Sequence, residues 1–469
     1  MKYLLFGTGE YYQRYKKWFA KDNIAALLDN SKDKQGTYID GIKVYSPQEG
    51  IKLQYDAIVV LSFYIKEMKS QLLALGAEES RIYHFFDLHR LLGGKAFHML
   101  VKYYGNAQNV INSTPLHNKK VLLMSHDLTL GGPALALYNA AETLKRNGYE
   151  VVFASMLDGL LRASIMDNDI PVIIDENLQI QTMNETQWTR SFDLIICNTI
   201  SYYVFLSERD KDMPFIWWLH DSPFFYDGVD KDILKNMDMR NLDIFSVGSV
   251  PADAIRQFIP NLTVNKLLYG VDDIKKADTA VKQDRTKVRF TTIGYIESRK
   301  GQDILISAVK KLSAELLDKC EFYLVGQNTS MLAKQIMEEV EGSPQVYITG
   351  CVDRDEIDRM LANTDILVCP SREDPMPTVA AEAMMHSVPC IISSAAGTAE
   401  YIQNGINGFV FESENADELL ETIKWSIRNK EKLPQMGVQA RKVYEKVFSM
   451  PAFERNLLKA VEERISKKE

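Results

Sequence analysis

Residues 369–386 read CPSREDPMPTVAAEAMMH and follow the apolar run DILVC at 365–369. The apolar run predicts a buried parallel strand, and the helix formers after Pro377 predict a helix. The proline-rich turn between them therefore lies at the carboxyl end of a strand, where open α/β sheets bind their ligands. A helix that begins there offers free N–H groups to an anion.

Asp374 and Glu382 bracket this turn, eight positions apart. Carboxylates accept hydrogen bonds from hydroxyl groups, so the pair suits a sugar nucleotide whose phosphates lie between the two side chains. An equally good interpretation of the pair alone is that Asp374 caps the helix while Glu382 faces solvent.

The chain has the length and composition of a multidomain globular protein. Its 469 residues are too many for one hydrophobic core, which predicts two or three domains. The net charge of -8 argues against nucleic acid as a partner. Five scattered cysteines lack metal-ligand spacing, which predicts reduced core residues and no metal site.

Nothing in the sequence indicates export or insertion into a membrane. The first residues, MKYLLFGTGEYY, lead directly into a strand and a glycine turn, without the apolar region of a signal peptide. No apolar stretch approaches the roughly 20 residues of a membrane helix. The prediction is a cytoplasmic protein, and peripheral contact with the inner face of the cell membrane stays open.

Short apolar strands alternate with amphipathic helices, a pattern typical of α/β proteins with parallel sheets covered on both faces. Polar or small-residue segments divide this pattern into domains, and the two larger domains would leave a cleft between them. The predicted parts are a small Rossmann-like domain at 1–92, a linker with a helix and no strand at 93–119, a sheet domain at 120–275, a hinge at 272–287, a second sheet domain at 288–450 and a C-terminal helix at 451–469. Whether this last helix crosses back to the first sheet domain stays open.

Residues 294–301 read GYIESRKG and follow another predicted strand. Adjacent cations at a strand end neutralise a diphosphate well, Arg299 through paired hydrogen bonds and Lys300 as a point charge. An exposed basic turn with no ligand is the alternative interpretation.

The middle of the chain contributes two further candidate segments. Gly131 and Gly132 follow a strand and let a loop wrap around a charged group, although their spacing matches neither a P-loop nor a dinucleotide fingerprint. Residues 215–226 read FIWWLHDSPFFY and place His220 at a strand end among aromatic residues. Trp218 and Phe224 are candidates to stack on an acceptor sugar, and a core aromatic cluster with a buried histidine is the alternative.

Taken in order, the paired-glycine loop, His220, the turn GYIESRKG and the stretch PSREDP with AEAM resemble glycosyltransferase family 4. The resemblance covers roughly residues 120–463 and implies the GT-B fold, in which two Rossmann-like domains face each other across a cleft. It implies metal-independent, retaining transfer of a hexosyl or related sugar from a nucleoside diphosphate sugar, without a cofactor. The implied acceptor is a glycan, a lipid-linked molecule or a protein, as in bacterial surface polysaccharide or glycoconjugate synthesis.

The resemblance also implies roles for individual residues. His220 would lie near the anomeric carbon, Lys300 would bind the diphosphate and Asp374 would contact the sugar hydroxyls, so these three are the expected catalytic residues. Glu382 would bind the nucleotide ribose. The full expected donor-binding set is Gly131, Gly132, Arg299, Lys300, Glu373, Asp374, Met376, Pro377, Thr378 and Glu382.

The chain departs from the family pattern at two places. Family members usually carry Glu where Asp374 stands, and Glu373 would partly substitute for the shorter side chain. An arginine is usual where Tyr295 stands, so Arg299 would have to compensate. These departures keep open a catalytically silent partner subunit of a glycosyltransferase, and a nucleotide-sugar epimerase of the same architecture is a further alternative.

Residues 1–92 carry their own ligand signal. Gly7, Thr8 and Gly9 follow a strand and Asp29 closes the next one, as in dinucleotide-binding sheets. Tyr12 replaces the third fingerprint glycine, so a structural or interaction role is favoured. Two interactions stay open: membrane contact through the linker with Lys95 and Lys102, and association into a homo-oligomer.

Overall fold

The structure, a computed structural model, describes residues 1–62, 64–92, 101–113, 119–179, 181–274 and 286–467. Three mostly parallel β-sheets with helices on their faces follow one another along the chain. This organisation confirms the predicted α/β class, with two Rossmann-like domains preceded by a smaller third one. We refer to the parts as the N-terminal module (1–92), the middle domain (101–274) and the C-terminal domain (286–449).

The N-terminal module contains a six-stranded sheet. Its strands are β1 (Tyr3–Phe6), β2 (Ile24–Leu28), β3 (Tyr38–Ile39), β4 (Ile42–Tyr45), β5 (Ala57–Val60) and β6 (Ile82–His84). The strand order is β3-β4-β2-β1-β5-β6, and only the β3-β4 pair is antiparallel. The helices of the module are α1 (Glu10–Tyr15), α2 (Pro47–Gly50), α3 (Ile65–Ala74) and α4 (Leu88–Leu92).

The middle domain contains an eight-stranded sheet. Its strands are β7 (Lys102–Tyr104), β8 (Lys120–Ser125), β9 (Glu150–Ser155), β10 (Val172–Ile174), β11 (Leu194–Asn198), β12 (Phe215–Leu219), β13 (Leu242–Ser246) and β14 (Asn265–Lys266). The order is β14-β13-β12-β11-β8-β9-β10-β7. The helices are α5 (Ala107–Asn112), α6 (Gly132–Arg146), α7 (Leu161–Asp167), α8 (Tyr203–Ser207), α9 (Lys231–Lys235) and α10 (Ser249–Arg256).

The C-terminal domain contains a six-stranded sheet in which all strands are parallel. Its strands are β15 (Val288–Ile293), β16 (Cys320–Val325), β17 (Val346–Gly350), β18 (Ile366–Cys369), β19 (Cys390–Ser393) and β20 (Gly408–Phe411), in the order β17-β16-β15-β18-β19-β20. The helices from here to the end of the described chain are α11 (Gln302–Val309), α12 (Ala314–Leu317), α13 (Met331–Glu339), α14 (Arg354–Ala362), α15 (Thr378–Met385), α16 (Ala416–Arg428), α17 (Leu433–Val443) and α18 (Met450–Ser466). Across the described ranges, no helix combines the length and the apolar character that crossing a membrane requires.

The central strands are apolar along their whole length because helices cover both faces of each sheet. Every residue of β8, β11 and β12 is buried, which is the burial that parallel strands require. The carboxyl ends of β8 and β12 in the middle domain, and of β15 and β18 in the C-terminal domain, border the same interdomain cleft.

The linker contains a strand that the sequence does not predict. Residues Lys102–Tyr104 form β7, which pairs antiparallel with β10 at the edge of the middle sheet. This strand is short and largely exposed, so it lacks the apolar run that identifies buried strands. Residues 93–100, with Lys95, and residues 114–118 lie outside the described ranges, as do residues 275–285 of the predicted hinge.

Helix α18 extends from the C-terminal domain onto the middle domain. Phe453 stacks on Trp218 with 5.8 Å between ring centroids. The buried Arg464 donates hydrogen bonds to Asp243 at 3.3 Å and to Asn241 at 3.0 Å. The chain therefore passes between the two domains a second time.

The two segments that pass between the domains are bonded to each other. The backbone N–H of Val271 donates to the carbonyl of Phe448 at 2.8 Å, and the hydroxyl of Tyr444 donates to the carbonyl of Val271 at 2.9 Å. Val271 and Ser449 also form an isolated parallel bridge. The outgoing and returning segments are thus adjacent at the domain boundary.

The N-terminal module packs against the middle domain. Lys17 forms an ion pair with Glu176 at 2.6 Å, and Arg90 lies 3.9 Å from Asp230. A Cβ atom added at Gly228 would lie 2.0 Å from the His84 ring, so the imidazole rests directly on the Gly228 backbone. Ion pairs and close packing together hold the module in place.

Candidate active site

A cleft of about 760 Å³ separates the middle and C-terminal domains. His126, His220 and Phe224 line it from the middle domain. Lys300 and Asp374 line it from the C-terminal domain. A cavity of this size suits a small-molecule substrate, and it brings together all three residues predicted as catalytic.

The loop before α11 presents the two predicted cations. Gly301 ends the loop with φ at 69°, and a Cβ atom there would lie 2.1 Å from the carbonyl oxygen of Pro370. Only glycine fits both the left-handed conformation and this close approach. Arg372 fixes the loop further, because its guanidinium donates to Asp303 at 2.8 and 2.6 Å and to the Ser298 carbonyl at 2.7 Å.

Both predicted cations form ion pairs. The amine of Lys300 donates to Asp374 Oδ2 at 2.5 Å, and Asp374 is 6% exposed. Arg299 donates to Glu297 at 2.9 Å and to the Glu373 carbonyl at 3.2 Å. A bound diphosphate would compete with these acidic partners for the same donors.

Two helix N-termini meet in the cleft. Helix α6 begins at Gly132 and α15 at Thr378, and neither has a side-chain hydrogen bond at its N-cap. A Cβ atom added at Gly132 would lie 3.9 Å from the Thr378 methyl group. The positive ends of two helix dipoles, neither capped by a side chain, therefore converge, an arrangement that attracts an anion. Gly131 is the N-cap of α6 and is not among the cleft-lining residues.

The proline-rich turn crosses the cleft floor between the domains. Met376 and Pro377 line the cleft next to Asp374. The Met376 carbonyl accepts a hydrogen bond from the Tyr269 hydroxyl of the middle domain at 3.1 Å. This contact ties the turn to the opposite domain.

Glu382 lies one turn inside α15 and does not line the cleft. Glu382 is 9% exposed, and its carboxylate accepts a hydrogen bond from Arg354 at 2.7 Å. Burial raises the pKa of Glu382 above its ordinary value, against the effect of Arg354. The two carboxylates predicted as one grip thus have different surroundings, since only Asp374 faces the cleft.

His220 follows β12 and is 8% exposed. Burial, with a smaller contribution from His126, lowers the pKa of His220 to about 3, so the imidazole is neutral near pH 7. Its Nε2 atom has no hydrogen-bond partner within the described part of the chain. A buried polar atom without a partner is costly, and His220 is one of the residues that line the cleft.

The aromatic residues around His220 divide into two groups. Trp218 is fully buried, lies 4.5 Å from the His220 ring and donates its indole N–H to the Leu267 carbonyl at 2.8 Å. Its ring therefore supports His220 from behind and is not available to an acceptor. Phe224 lies in a 3₁₀ helix at Pro223–Gly228 and lines the cleft.

Sequence reasoning missed several residues of the cleft. His126 lies in the glycine loop after β8, 3.5 Å from Asp127, and its position after a strand could have identified it. Arg372 lines the cleft from within the segment at residues 369–386. Tyr64 and Glu67 come from the N-terminal module, and their sequence surroundings carry no signal that connects them to a cleft of other domains.

The glycine turn of the N-terminal module bonds within itself. The backbone N–H of Thr8 donates to Asp29 at 3.1 Å, and Lys34 lies 3.3 Å from the same carboxylate. Tyr12 is buried and donates to Asp40 at 3.0 Å. Asp29 thus bonds within the turn itself, and nucleotide binding at this turn stays the less favoured interpretation.

Potential metal ligands are not grouped in the parts of the chain described above. Within those ranges, no three His, Cys, Asp or Glu side chains are arranged to hold a metal ion.

Three protein-family models match the chain. Residues 273–443 match the model described as glycosyl transferases group 1, and residues 117–246 match the model described as glycosyl-transferase family 4. Residues 1–83 match a third model, described as C2185-like, N-terminal. The two larger matches fall on the two domains that enclose the cleft.

Individual proteins resemble the chain at low sequence identity. An uncharacterized 41.2 kDa protein in the cps region of Klebsiella pneumoniae is 28% identical over 151 residues, which are 32% of this chain and 40% of that protein. Spore coat protein SA of Bacillus subtilis strain 168 is 24% identical over 357 residues, which are 71% of this chain and 95% of that protein. Among solved structures, HepE of Anabaena in complex with UDP and glucose is 18% identical with a TM-score of 0.61, covering 74% of this chain and 100% of that one. The structural likeness shows the fold.

Proposed function

Because the chain belongs to glycosyltransferase family 4, with an additional C2185-like domain at residues 1–83, we propose that it transfers a sugar with retention from a nucleoside diphosphate sugar to an acceptor in the cleft. The structural relative solved with UDP and glucose makes a UDP-sugar the first donor to test. The acceptor is a glycan, a lipid-linked molecule or a protein. Bacterial surface polysaccharide or glycoconjugate synthesis in the cytoplasm is the proposed setting.

One observation supports this proposal above the others. The N-termini of α6 and α15 converge in the cleft that Lys300 lines, and neutral His220, with its Nε2 atom unpartnered, lines the same cleft. A diphosphate has the charge that the helix ends and the lysine attract. A neutral imidazole suits a sugar hydroxyl, with which it forms a hydrogen bond without an uncompensated charge.

In the proposed reaction the bond between the anomeric carbon and the diphosphate oxygen breaks, and the electron pair leaves with the nucleoside diphosphate. The acceptor oxygen bonds to the anomeric carbon on the same face. Its proton passes to the departing diphosphate, so no enzyme nucleophile is needed. Lys300 and Arg299 would turn from their acidic partners to the diphosphate, which stabilises the charge that develops in the transition state. Asp374, freed from Lys300, would accept a hydrogen bond from the donor sugar.

We propose further that the cations and helix ends perform the charge neutralisation that a divalent metal supplies in other transferases. Transfer should then proceed at an unchanged rate in about 5 mM EDTA, which is enough to remove a weakly bound Mg²⁺. A rate that falls in EDTA and returns with added Mg²⁺ or Mn²⁺ would contradict metal independence.

The direct test is a thermal-shift screen of nucleoside diphosphate sugars, followed by product analysis with and without acceptors. We expect stabilisation by one donor class, slow hydrolysis of that donor and transfer with retained anomeric configuration. A new free nucleotide sugar formed without an acceptor would instead support the epimerase. If no donor binds and no donor is hydrolysed, the enzyme function is refuted. That outcome would support the silent partner subunit, to which Tyr295 and Asp374 point.

A further inference from the structure

The N-terminal module reaches the mouth of the interdomain cleft. Tyr64 and Glu67 line the cleft together with Phe224 of the middle domain. Tyr64 is 66% exposed. It immediately precedes α3, a helix whose Ile65, Met68 and Leu72 are buried. The buried face fixes the helix, so the backbone that carries Tyr64 and Glu67 is held at a defined place.

The N-terminal module is attached at the wall of the cleft that Tyr64 and Glu67 line. Gly228, against which His84 packs, belongs to the 3₁₀ helix that carries Phe224. Phe225, the residue after Phe224, packs against the core of the module and also lines the cleft. Tyr64, Glu67 and Phe224 therefore form one continuous surface from two domains.

The chemistry of this surface differs from that of the donor side. Among the described residues, those lining the cleft from the module and the middle domain include one carboxylate, two imidazoles and no lysine or arginine. The C-terminal domain contributes the three cations of the cleft, Arg299, Lys300 and Arg372, together with the carboxylates of Glu297, Glu373 and Asp374. A phosphate at the acceptor wall would find no cation there and would meet Glu67, whereas a sugar offers hydroxyl donors to Glu67 and an apolar face to the rings.

We propose that the N-terminal module is an acceptor-binding element, in which Tyr64 and Glu67 bind the terminal sugar of an uncharged glycan against Phe224. This inference rests on the proposed transferase function and adds to it the substrate class of the acceptor. The module thereby determines which acceptors reach the reacting centre, while the donor is bound by the C-terminal domain.

The experiment compares the variants Tyr64→Ala and Glu67→Gln with the unaltered full chain. The probes are p-nitrophenyl glycosides of glucose, galactose and N-acetylglucosamine as acceptors, and polyprenyl phosphate in detergent micelles as the charged alternative. Lys66→Ala serves as the matched control, since Lys66 is exposed on α3 between the two residues and does not line the cleft. Thermal unfolding of each variant checks that it is folded.

We expect each variant to raise the KM for a glycoside acceptor about tenfold, the effect of losing one ligand contact. The kcat at saturating acceptor and the affinity for UDP by calorimetry should change less than about threefold, and Lys66→Ala should match the unaltered chain. Equal acceptor KM values in all variants would overturn the inference and leave the proposed function intact. Transfer to polyprenyl phosphate alone, or donor hydrolysis without transfer to any glycoside, would also overturn it. Absence of all donor turnover in the unaltered chain would instead overturn the proposed function.

Discussion

Lys300 and Asp374 form an ion pair that donor binding would have to separate. The lysine amine lies 2.5 Å from the buried carboxylate, so the same two side chains bind each other without donor and bind different parts of the donor with it. Such a pair keeps the carboxylate compensated while the cleft is open.

The substitution Lys300→Ala should weaken the binding of UDP about 10- to 100-fold, because it removes a charge-assisted hydrogen bond to the diphosphate. Isothermal titration calorimetry measures this affinity. Lys310→Ala is the matched control, since Lys310 pairs with Glu339 at 2.7 Å and does not line the cleft. Equal affinities in the two variants would refute the diphosphate role.

His220 and Asp221 are adjacent, and their effects on the pH dependence of stability have opposite signs. Burial lowers the pKa of His220 to about 3, so below about pH 6.5 the unfolded chain binds a proton that the folded chain does not. Stability therefore falls as the pH falls from about 6.5 toward 3. Burial raises the pKa of Asp221 from 3.8 to about 7, so the folded chain binds the extra proton and stability rises as the pH falls from 7 toward 3.8.

The substitution His220→Asn removes the first effect and leaves the second. Relative to the unaltered chain, this variant should gain about 2 kcal/mol in the free energy of unfolding when the pH falls from 7 to 5. Urea denaturation at the two pH values measures the difference. Asp221→Asn should change in the opposite direction, and identical shifts in both variants would contradict the assigned pKa directions.

Much of the site follows from residue type and position in the sequence, because Lys300 and Asp374 stand in segments that follow apolar strands and Thr378 begins the next helix. The direction of a side chain does not follow in the same way. Trp218 alternates along β12 with residues of the opposite face, and the residues that cover its ring include Phe453 from a distant helix. Glu382 likewise meets Arg354, a partner whose proximity depends on how α14 and α15 pack.

At the scale of elements, the short loop before α11 has a strict steric requirement. Gly301 combines a positive φ with an approach to the Pro370 carbonyl that leaves no room for a Cβ atom. Its position therefore controls where Arg299 and Lys300 point.

The substitution Gly301→Ala should lower both thermal stability and UDP affinity, because the loop must move away from Pro370. Gly342→Ala is the matched control, since Gly342 has φ at 79° but nothing within 4 Å of an added Cβ atom. Both variants carry a backbone strain of about 1 kcal/mol, so only the additional loss in Gly301→Ala reports the close approach. Calorimetry and thermal unfolding measure the two quantities, and equal effects would show that the contact with Pro370 is unimportant.

The elements themselves were predictable where burial is two-sided. The strands β1 and β2 coincide with the apolar runs at Tyr3–Phe6 and Ile24–Leu28. Edge strands such as β3 and β7 carry no such run, because they are short and partly exposed. Their pairing depends on a neighbouring strand rather than on their own residues.

At the scale of the whole molecule, α18 links the last part of the chain to the middle domain. Arg464 is 5% exposed and bonds to Asp243 and Asn241. The substitution Arg464→Ala should lower stability by about 3 kcal/mol, since it leaves Asp243 paired with the more exposed Lys467 at 3.4 Å and opens space in the interface.

The melting temperature from differential scanning calorimetry measures this effect. Arg455→Ala is the control because Arg455 is exposed on the same helix. A melting temperature of Arg464→Ala equal to that of Arg455→Ala would show that the interface of α18 does not contribute to stability.

The hydrogen bonds between the outgoing and returning segments limit how the two large domains can move. Val271 of the outgoing segment is bonded to Phe448 and Tyr444 of the returning segment. The two segments therefore cross the domain boundary next to each other. Adjacent crossings of this kind suit a hinge. A rotation about that hinge would move Lys300 and Asp374 together relative to His220, while Tyr64, Glu67 and Phe224 would keep their mutual distances.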